Sequence, residues 1–239
     1  MGKFCIMLAV MLLQNTFKET QLKNARVKTA YSEKEDVVKA YFKEKNIKYN
    51  GFRLFIRAFK KEQKLETWVL EEGKETYALL HTYDFCAVSG KLGPKRKEGD
   101  LQIPEGVYSI NHFNPQSNFY LSLGVSYPNA SDRILSDQKH PGGNIYIHGN
   151  CVTIGCIPLT DDKIKELYVL AVQARGTQDN IPVHIFPAKL SSAELNALKT
   201  DFSAPTISFW TNLKKVYDDF EQTKKLKQVK VTKTGDYAL

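Results

Sequence analysis

One short segment contains a cysteine and a histidine that are close enough in sequence to act together in nucleophilic chemistry. His148 ends a predicted strand over residues 144–148, and Cys156 follows eight residues later. A thiol becomes a strong nucleophile when an imidazole takes its proton or a helix N-terminus lowers its pKa. Gly149 and Gly155 lie between them and allow the chain to turn, so we expect the thiol to fold back onto the imidazole. The segment predicts covalent catalysis by Cys156.

The backbone beside the predicted nucleophile has a predicted role as well. The N–H groups of Gly155 and Cys156 are expected to form an oxyanion hole for a tetrahedral intermediate. The structural alternative is a buried, unreactive thiol that packs beside a strand-end histidine. A metal site at His148, Cys151 and Cys156 is not expected, because a fourth ligand is missing.

The cysteine count bears on the state of these thiols. The chain has four cysteines, which is too few for a disulfide scaffold, and no C-x-x-C pair. With Cys5 in a predicted export signal, an odd number remains, so at least one thiol should be free. We expect Cys151 to be a packed free thiol, and bridges to Cys86 or Cys156 are the alternatives. A bridge to Cys156 would block the nucleophile.

A mainly β domain over residues 51–188 is predicted to carry the site. Alternating apolar and polar residues predict strands from residue 51 to 125, with hairpin turns at Gly73 and Gly106. Residues 89–104 are rich in Gly, Lys and Pro and predict a long loop, which in a compact domain is often functional. The fold class indicated is α+β, mainly β, with flanking helices.

Helices are predicted on both sides of this domain. In an N-terminal helical extension, residues 17–50, Ser32 and Glu35 form a capping box that predicts a helix over 33–46. Thr160 should cap a helix that ends near residue 175. A C-terminal helical extension, residues 189–239, is expected to contain a helix over 207–227 and a lysine-rich, frayed tail.

The N-terminus indicates export. Lys3 precedes an apolar run over residues 4–13, and the following residues are polar, which is typical of a secretory signal peptide over residues 1–16. The alternatives are an uncleaved anchor or a buried strand, because no A-x-A cleavage site follows. An exported bacterial protein would reside in the periplasm or cell envelope. No apolar run reaches the roughly 18 residues of a spanning helix, so no membrane span is expected in the mature form.

The net charge of +8 points to an anionic partner, which could be nucleic acid, a membrane surface or an acidic polymer. No nucleic-acid-binding motif accompanies the charge, and the export signal argues against such a partner. The basic loop residues Lys91, Lys95, Arg96 and Lys97 are predicted either to aid solubility or to attract a carboxylate-rich polymer.

The segment resembles a known family. His148-Gly149 followed by Thr153-Ile154-Gly155-Cys156 is similar to the motif of the L,D-transpeptidase catalytic domain (the YkuD-type fold), in its YafK-like branch. The general motif has a second histidine where Ile154 stands, and a longer interval. Further segments match in the same order, among them residues 89–95, 104–108, 122–129, 141–143 and 184–187. The resemblance covers residues 52–187 and implies a mixed, partly barrel-like sheet.

The resemblance implies specific roles. Cys156 would attack a carbonyl of a peptidoglycan stem peptide and form a thioester, with His148 as the base. Thr153 would support the turn, and either a backbone carbonyl or Asp132 would orient His148. The resemblance implies no cofactor and no metal. Four residues are candidate substrate contacts: Arg133, Tyr127, Gly149 and Lys95.

Transfer of the acyl group to an amine would give L,D-transpeptidation, and transfer to water would give carboxypeptidase, endopeptidase or amidase activity. The predicted partners are therefore stem peptides of peptidoglycan and proteins attached to the wall. Because Ile154 departs from the family motif, the alternative is a catalytically silent peptidoglycan-binding domain of the same fold.

Overall fold

The computed structural model describes residues 17–239, so the predicted signal peptide, residues 1–16, lies outside the described residues. An eight-stranded mixed sheet with the strand order β3-β2-β1-β8-β4-β5-β6-β7 forms the centre of the fold. Neighbouring strands are antiparallel except for the parallel pairs β1–β8 and β6–β7. The strands are β1 (Phe52–Phe59), β2 (Lys64–Glu71), β3 (Ala78–Asp84), β4 (Gly106–Asn114), β5 (Ser122–Val125), β6 (Tyr146–His148), β7 (Ile157–Pro158) and β8 (Ile181–Phe186).

Helices flank this sheet, which confirms the predicted mainly β, α+β class with a mixed, half-barrel sheet. Among residues 17–239, no helix is both long and apolar enough to cross a membrane. The helices are α1 (described over 17–22), α2 (Ala25–Glu44), α3 (Ala130–Leu135), α4 (Asp161–Ala174), α5 (Ser192–Leu198) and α6 (Ala204–Thr223).

The predicted start of the N-terminal helix is wrong. Asn24 caps α2 by accepting a hydrogen bond from the Arg26 N–H group, eight residues before the predicted capping box. Ser32 therefore lies inside the helix, where the buried residues Val27, Ala30 and Tyr31 extend its apolar face towards the N-terminus. The cap of α4 is as predicted, since the Thr160 side chain accepts from the Lys163 N–H group.

Strand β1 is buried on both faces of the sheet. Leu54, Ile56 and Ala58 point into the main core with α2 and α4, while Phe55 and Phe59 join apolar clusters that include α6. The two-sided cover explains why this strand, in the middle of the sheet, contains almost no exposed side chain.

The C-terminal extension covers one face of the sheet and ends in structure that the sequence did not predict. Residues expected to be a frayed tail form a hairpin of β9 (Lys230–Val231) and β10 (Tyr237–Ala238). The Tyr237 hydroxyl accepts hydrogen bonds from the Val107 N–H and Asn129 side-chain groups, at 3.3 and 2.9 Å. The extension is thus helical only in part, and it contacts the strand and turn that lead to α3.

A buried carboxylate joins the long loop, residues 85–105, to the C-terminal extension. Glu105 accepts hydrogen bonds from the Lys60 ammonium at 2.8 Å and the Trp210 indole N–H at 2.6 Å. Lys60 also donates to the carbonyls of Gly93 and Ile103, so one ammonium holds both ends of the loop interior. Burial of this ion pair is tolerated because all of these charged groups have hydrogen-bond partners. The loop is therefore fixed against the sheet.

Candidate active site

The parallel pairing of β6 and β7 brings the predicted base and nucleophile to one face of the sheet. Ile147 is paired with Ile157, and His148 with Pro158. Extending this register by one residue places Cys156 beside Tyr146. Because side chains alternate along a strand, the Cys156 and His148 side chains lie on the same face, in diagonal positions on the two strands.

Backbone groups surround the thiol. The Tyr146 N–H group donates to Cys156 Sγ at 3.4 Å, and the thiol donates to the Asn144 carbonyl at 3.7 Å. Asn144 has φ of 55°, a left-handed conformation that asparagine tolerates better than most residues. The local backbone thus holds a protonated thiol beside Tyr146, the first residue of β6, which lies two residues before His148.

The imidazole is buried and oriented by the backbone. His148 is 1% exposed, its Nδ1 atom lies 2.5 Å from the Gly149 carbonyl oxygen, and Phe119 stacks on the ring at 4.5 Å. A carbonyl only accepts, so Nδ1 carries the proton and Nε2 is free to act as a base. A backbone carbonyl and Asp132 were the two groups predicted to orient His148, and the Gly149 carbonyl is the one that contacts the imidazole. Asp132 instead accepts from the Tyr108 hydroxyl.

The close packing around Gly149 leaves no space for a side chain at this position. A Cβ atom at this position would lie 2.7 Å from Asp161 Oδ1 and 2.9 Å from both Ile164 Cγ2 and the Phe119 carbonyl oxygen. Its close packing against α4 fixes the carbonyl that orients His148. Gly149 therefore acts as a positioning element, and its backbone groups are used internally, with the N–H group donated to the Leu121 carbonyl.

Burial keeps both reactive groups neutral near neutral pH. It raises the pKa of the Cys156 thiol, and the Tyr146 N–H group and the charge of Lys95 offset this only in part. Burial also lowers the pKa of His148, against a smaller opposite effect of the Gly149 carbonyl. A neutral thiol on the same sheet face as a neutral imidazole is suited to general-base activation during attack, in contrast to a preformed thiolate–imidazolium pair.

Thr153 closes the turn before the nucleophile. Its Oγ1 atom accepts from the N–H groups of Gly155 and Cys156, at 3.2 and 2.9 Å, and donates to the Cys156 carbonyl at 2.8 Å. These are the two N–H groups that were predicted from the sequence to form the oxyanion hole. Because both are donated to the threonine, the predicted hole is not free in this state of the site.

We expect Thr153→Val to lower kcat/KM about tenfold or more, because the N–H groups of Gly155 and Cys156 lose the one oxygen that accepts from both. Thr153→Ser keeps the hydroxyl and should remain within about threefold of wild type. Steady-state kinetics of both variants on one acyl donor provide the measurement. Equal activity of Thr153→Val and wild type would mean that the hydroxyl does not position the nucleophile.

The loop that carries Cys156 is tied to the sheet by a disulfide bond between Cys86 and Cys151, whose Cα atoms are 5.3 Å apart. The prediction that Cys151 is a free thiol is wrong, and the bridge to Cys86 that the sequence left open is the one present. The turn after β3 reaches this loop because the Cys86 N–H group donates to the Pro158 carbonyl. Cys156 is the free cysteine among the described residues.

The other predicted substrate contacts have different surroundings. Lys95 is 5% exposed and ion-paired with Asp100 at 2.6 Å, and its charge acts on the thiol. Tyr127 is buried and donates to the Pro141 carbonyl at 2.7 Å, so its hydroxyl supports the chain that leads to β6. Arg133 is exposed on α3, and no described contact brings it to the thiol.

In residues 17–239 no group of three or more metal-ligating side chains could hold a metal ion.

Two contributors to the site were not found from the sequence. Phe119 stacks on the imidazole from the segment between β4 and β5, and the Tyr146 N–H group contacts the thiol. Neither a lone aromatic residue in a turn nor a backbone amide has a sequence pattern that marks it, so only the pairing of the strands reveals them.

Comparison with known proteins identifies the family of this chain. The family model of the L,D-transpeptidase catalytic domain (YkuD) matches residues 53–185, more than half of the chain. The chain belongs to this family. The protein YafK of Escherichia coli K12 is 36% identical over 193 residues, which are 79% of this chain and 74% of YafK. YafK of Escherichia coli O157:H7 matches equally well.

Among solved structures, the helical cell shape determining protein Pgp2 of Campylobacter jejuni superposes with a TM-score of 0.46 and 20% identity, over 76% of this chain and 73% of Pgp2. Bd1075 of Bdellovibrio bacteriovorus gives a TM-score of 0.40 and 24% identity, over 57% of this chain and 48% of Bd1075.

Proposed function

We propose that this protein is an exported cysteine enzyme of peptidoglycan metabolism, in which Cys156 forms a thioester with a stem peptide. The observation that carries the proposal is the pair of side chains on one sheet face, a free thiol at Cys156 and a buried imidazole at His148 with Nε2 unprotonated. Membership of the L,D-transpeptidase family supports the substrate class. The predicted signal peptide and the Cys86–Cys151 disulfide support export to the bacterial envelope.

In the proposed reaction, His148 Nε2 takes the thiol proton as Cys156 Sγ bonds to the scissile carbonyl carbon. The tetrahedral intermediate then collapses, the carbon–nitrogen bond breaks, and the imidazolium gives its proton to the leaving amine. The thioester is released by an acceptor amine or by water, whose proton passes to His148. Transfer to an amine gives L,D-transpeptidation, and transfer to water gives hydrolysis of a stem peptide or of a bond to a wall-attached protein.

A silent peptidoglycan-binding domain of the same fold is the second candidate. The observation that favours it is the occupation of the Gly155 and Cys156 N–H groups by Thr153, together with the 79% exposed Ile154 where the family motif has a histidine. A catalytic role requires these groups, or others near them, to turn to the oxyanion during attack. Labelling with a carbapenem separates the two candidates, since a silent domain should form no covalent adduct at Cys156.

Digestion of purified peptidoglycan by the protein, with products identified by mass, tests the proposed function. New cross-links between stems would show transpeptidation, and shortened stems or released wall-linked proteins would show hydrolysis. A product profile identical to that of buffer-treated peptidoglycan would contradict the proposal.

The pH dependence follows from the two pKa shifts. We expect kcat/KM to rise with pH as His148 loses its proton, with a midpoint below the ordinary histidine value of about 6.5, and then to stay level to about pH 9. Alkylation by iodoacetamide needs the thiolate and should still be rising at pH 9, because the pKa of Cys156 is raised. Coincident profiles would instead indicate a preformed ion pair.

A further inference from the structure

A second feature near the thiol is a cleft of about 400 Å³ between the long loop and the C-terminal extension. Apolar walls come from the loop and from Leu135 at the end of α3, and Pro205 and Thr206 of α6 close the opposite side. Gln102 lines the cleft, and its carbonyl oxygen is 3.1 Å from the position of a Cβ atom on Gly155. Gln102 therefore connects the wall of the cleft to the residue that precedes Cys156.

Arg96 supplies a positive charge to this cleft. Its guanidinium lies over the Phe209 ring at 4.8 Å and 3.7 Å from Asp132 Oδ1, which is an ion pair but beyond hydrogen-bond distance. Arg96 Nη1 and Asp132 Oδ1 are buried and lack a hydrogen-bond partner among the described residues. The side chain is 30% exposed, so part of the guanidinium remains accessible.

The backbone around Arg96 is held rigidly by one carboxylate. Asp100 accepts from the N–H groups of Arg96 and Lys97, at 2.8 and 3.0 Å, and from the Lys95 ammonium at 2.6 Å. Because the backbone of the loop and the ring of Phe209 fix the arginine from two sides, little side-chain entropy remains to be lost when the guanidinium binds a ligand.

We propose that this cleft is a carboxylate-binding subsite, in which Arg96 binds a carboxylate of the stem peptide whose acyl group reacts at Cys156. The part of the guanidinium that remains exposed can donate to a carboxylate, and the apolar walls suit the aliphatic part of a peptide. The subsite rests on the proposed function and gives to Arg96 the role of substrate contact that the sequence analysis predicted for Arg133. Arg133 is exposed on α3 and is not among the residues that line this cleft.

Binding of peptides to the Cys156→Ala protein tests the subsite without turnover. The probes are a synthetic stem peptide with free carboxylates and analogues in which each carboxylate is amidated in turn. We expect Arg96→Gln, added to Cys156→Ala, to raise the Kd of the free-carboxylate peptide about tenfold or more. For the one analogue that has lost the bound carboxylate, the same substitution should leave Kd unchanged. Arg133→Gln removes the same net charge and is the matched control, with an expected change below about twofold.

Equal weakening of all peptides by Arg96→Gln, or none, would overturn the subsite. If Arg96→Gln does not fold, Arg96→Lys provides the same test, because it keeps the charge but loses the fork and should discriminate less between carboxylate and amide. If wild type processes peptidoglycan and Arg96→Gln processes it equally well, the subsite alone would be rejected. A wild type that neither binds nor processes stem peptides would reject the proposed function as well.

Discussion

Cys156→Ala should lower kcat on a stem-peptide donor by about 10⁴-fold or more, because the acyl group then has no nucleophile to accept it. Cys156→Ser should lose nearly as much activity. A serine hydroxyl is far less acidic than the Cys156 thiol, even though burial raises the pKa of that thiol, and His148 is a weak base for the hydroxyl because its own pKa is lowered. The measurement is single-turnover release of the leaving amine, compared with wild type at the same pH. Binding of the peptide should be kept in both variants.

Val152→Ala is the matched control for this loss. Val152 lies in the same loop, four residues before the nucleophile, and its side chain is 52% exposed. We expect this variant to stay within about threefold of wild type, since it removes an exposed side chain with no part in the chemistry. Activity of Cys156→Ala comparable with that of Val152→Ala would exclude covalent catalysis by this thiol.

Loss of the disulfide should have the largest effect on stability. The bond between Cys86 and Cys151 closes a loop of 65 residues, for which the chain-entropy relation gives about 4 kcal/mol. We therefore expect the double variant Cys86→Ala, Cys151→Ala to have a Tm lower by roughly 8–16 °C, measured by calorimetry. Activity should fall as well, because the bond anchors the loop that ends at Cys156.

Chemical reduction of the disulfide separates the effect of the bond on Tm from the loss of side-chain packing that the two alanine substitutions cause. A dithiol should lower the Tm of wild type towards that of the double variant and leave the double variant unchanged. Cys86→Ala alone frees Cys151, five residues from the nucleophile, and should lose further activity under oxidation as these two thiols form a bond. A wild-type Tm unaffected by complete reduction would contradict the stabilising role of the bond.

Elements whose pattern is local were predicted well. The Thr160 cap of α4 and the strands around Leu54 and Val107 follow from residues that are neighbours in sequence. The early start of α2 was missed because its cap depends on Asn24 and its first buried turn on contacts with distant parts of the chain. The hairpin at β9 and β10 was missed for the same reason, since Tyr237 is held by Val107 and Asn129.

The candidate site shows the same division. His148 and Cys156 were identified from residue type and spacing, and their common face follows from the parallel pairing of β6 and β7. The disulfide partner of Cys151 depends on where β3 ends, which no spacing reveals. The competition between Thr153 and an oxyanion for the same N–H groups is likewise a property of the folded turn. The proposed role of Arg96 depends on the cleft, and one side of that cleft is formed by α6, which is distant from Arg96 in sequence.

Capture of the acyl-enzyme tests the central role of Cys156 most directly. Wild-type protein is mixed with a stem-peptide donor, quenched in acid within the first turnover, and analysed by intact mass followed by peptide mapping. We predict a mass increase equal to the acyl group, located on Cys156, removed by hydroxylamine and absent from Cys156→Ala. Full turnover of the donor without an adduct on Cys156 in wild type, or with the same rate in Cys156→Ala, would contradict nucleophilic catalysis at this site.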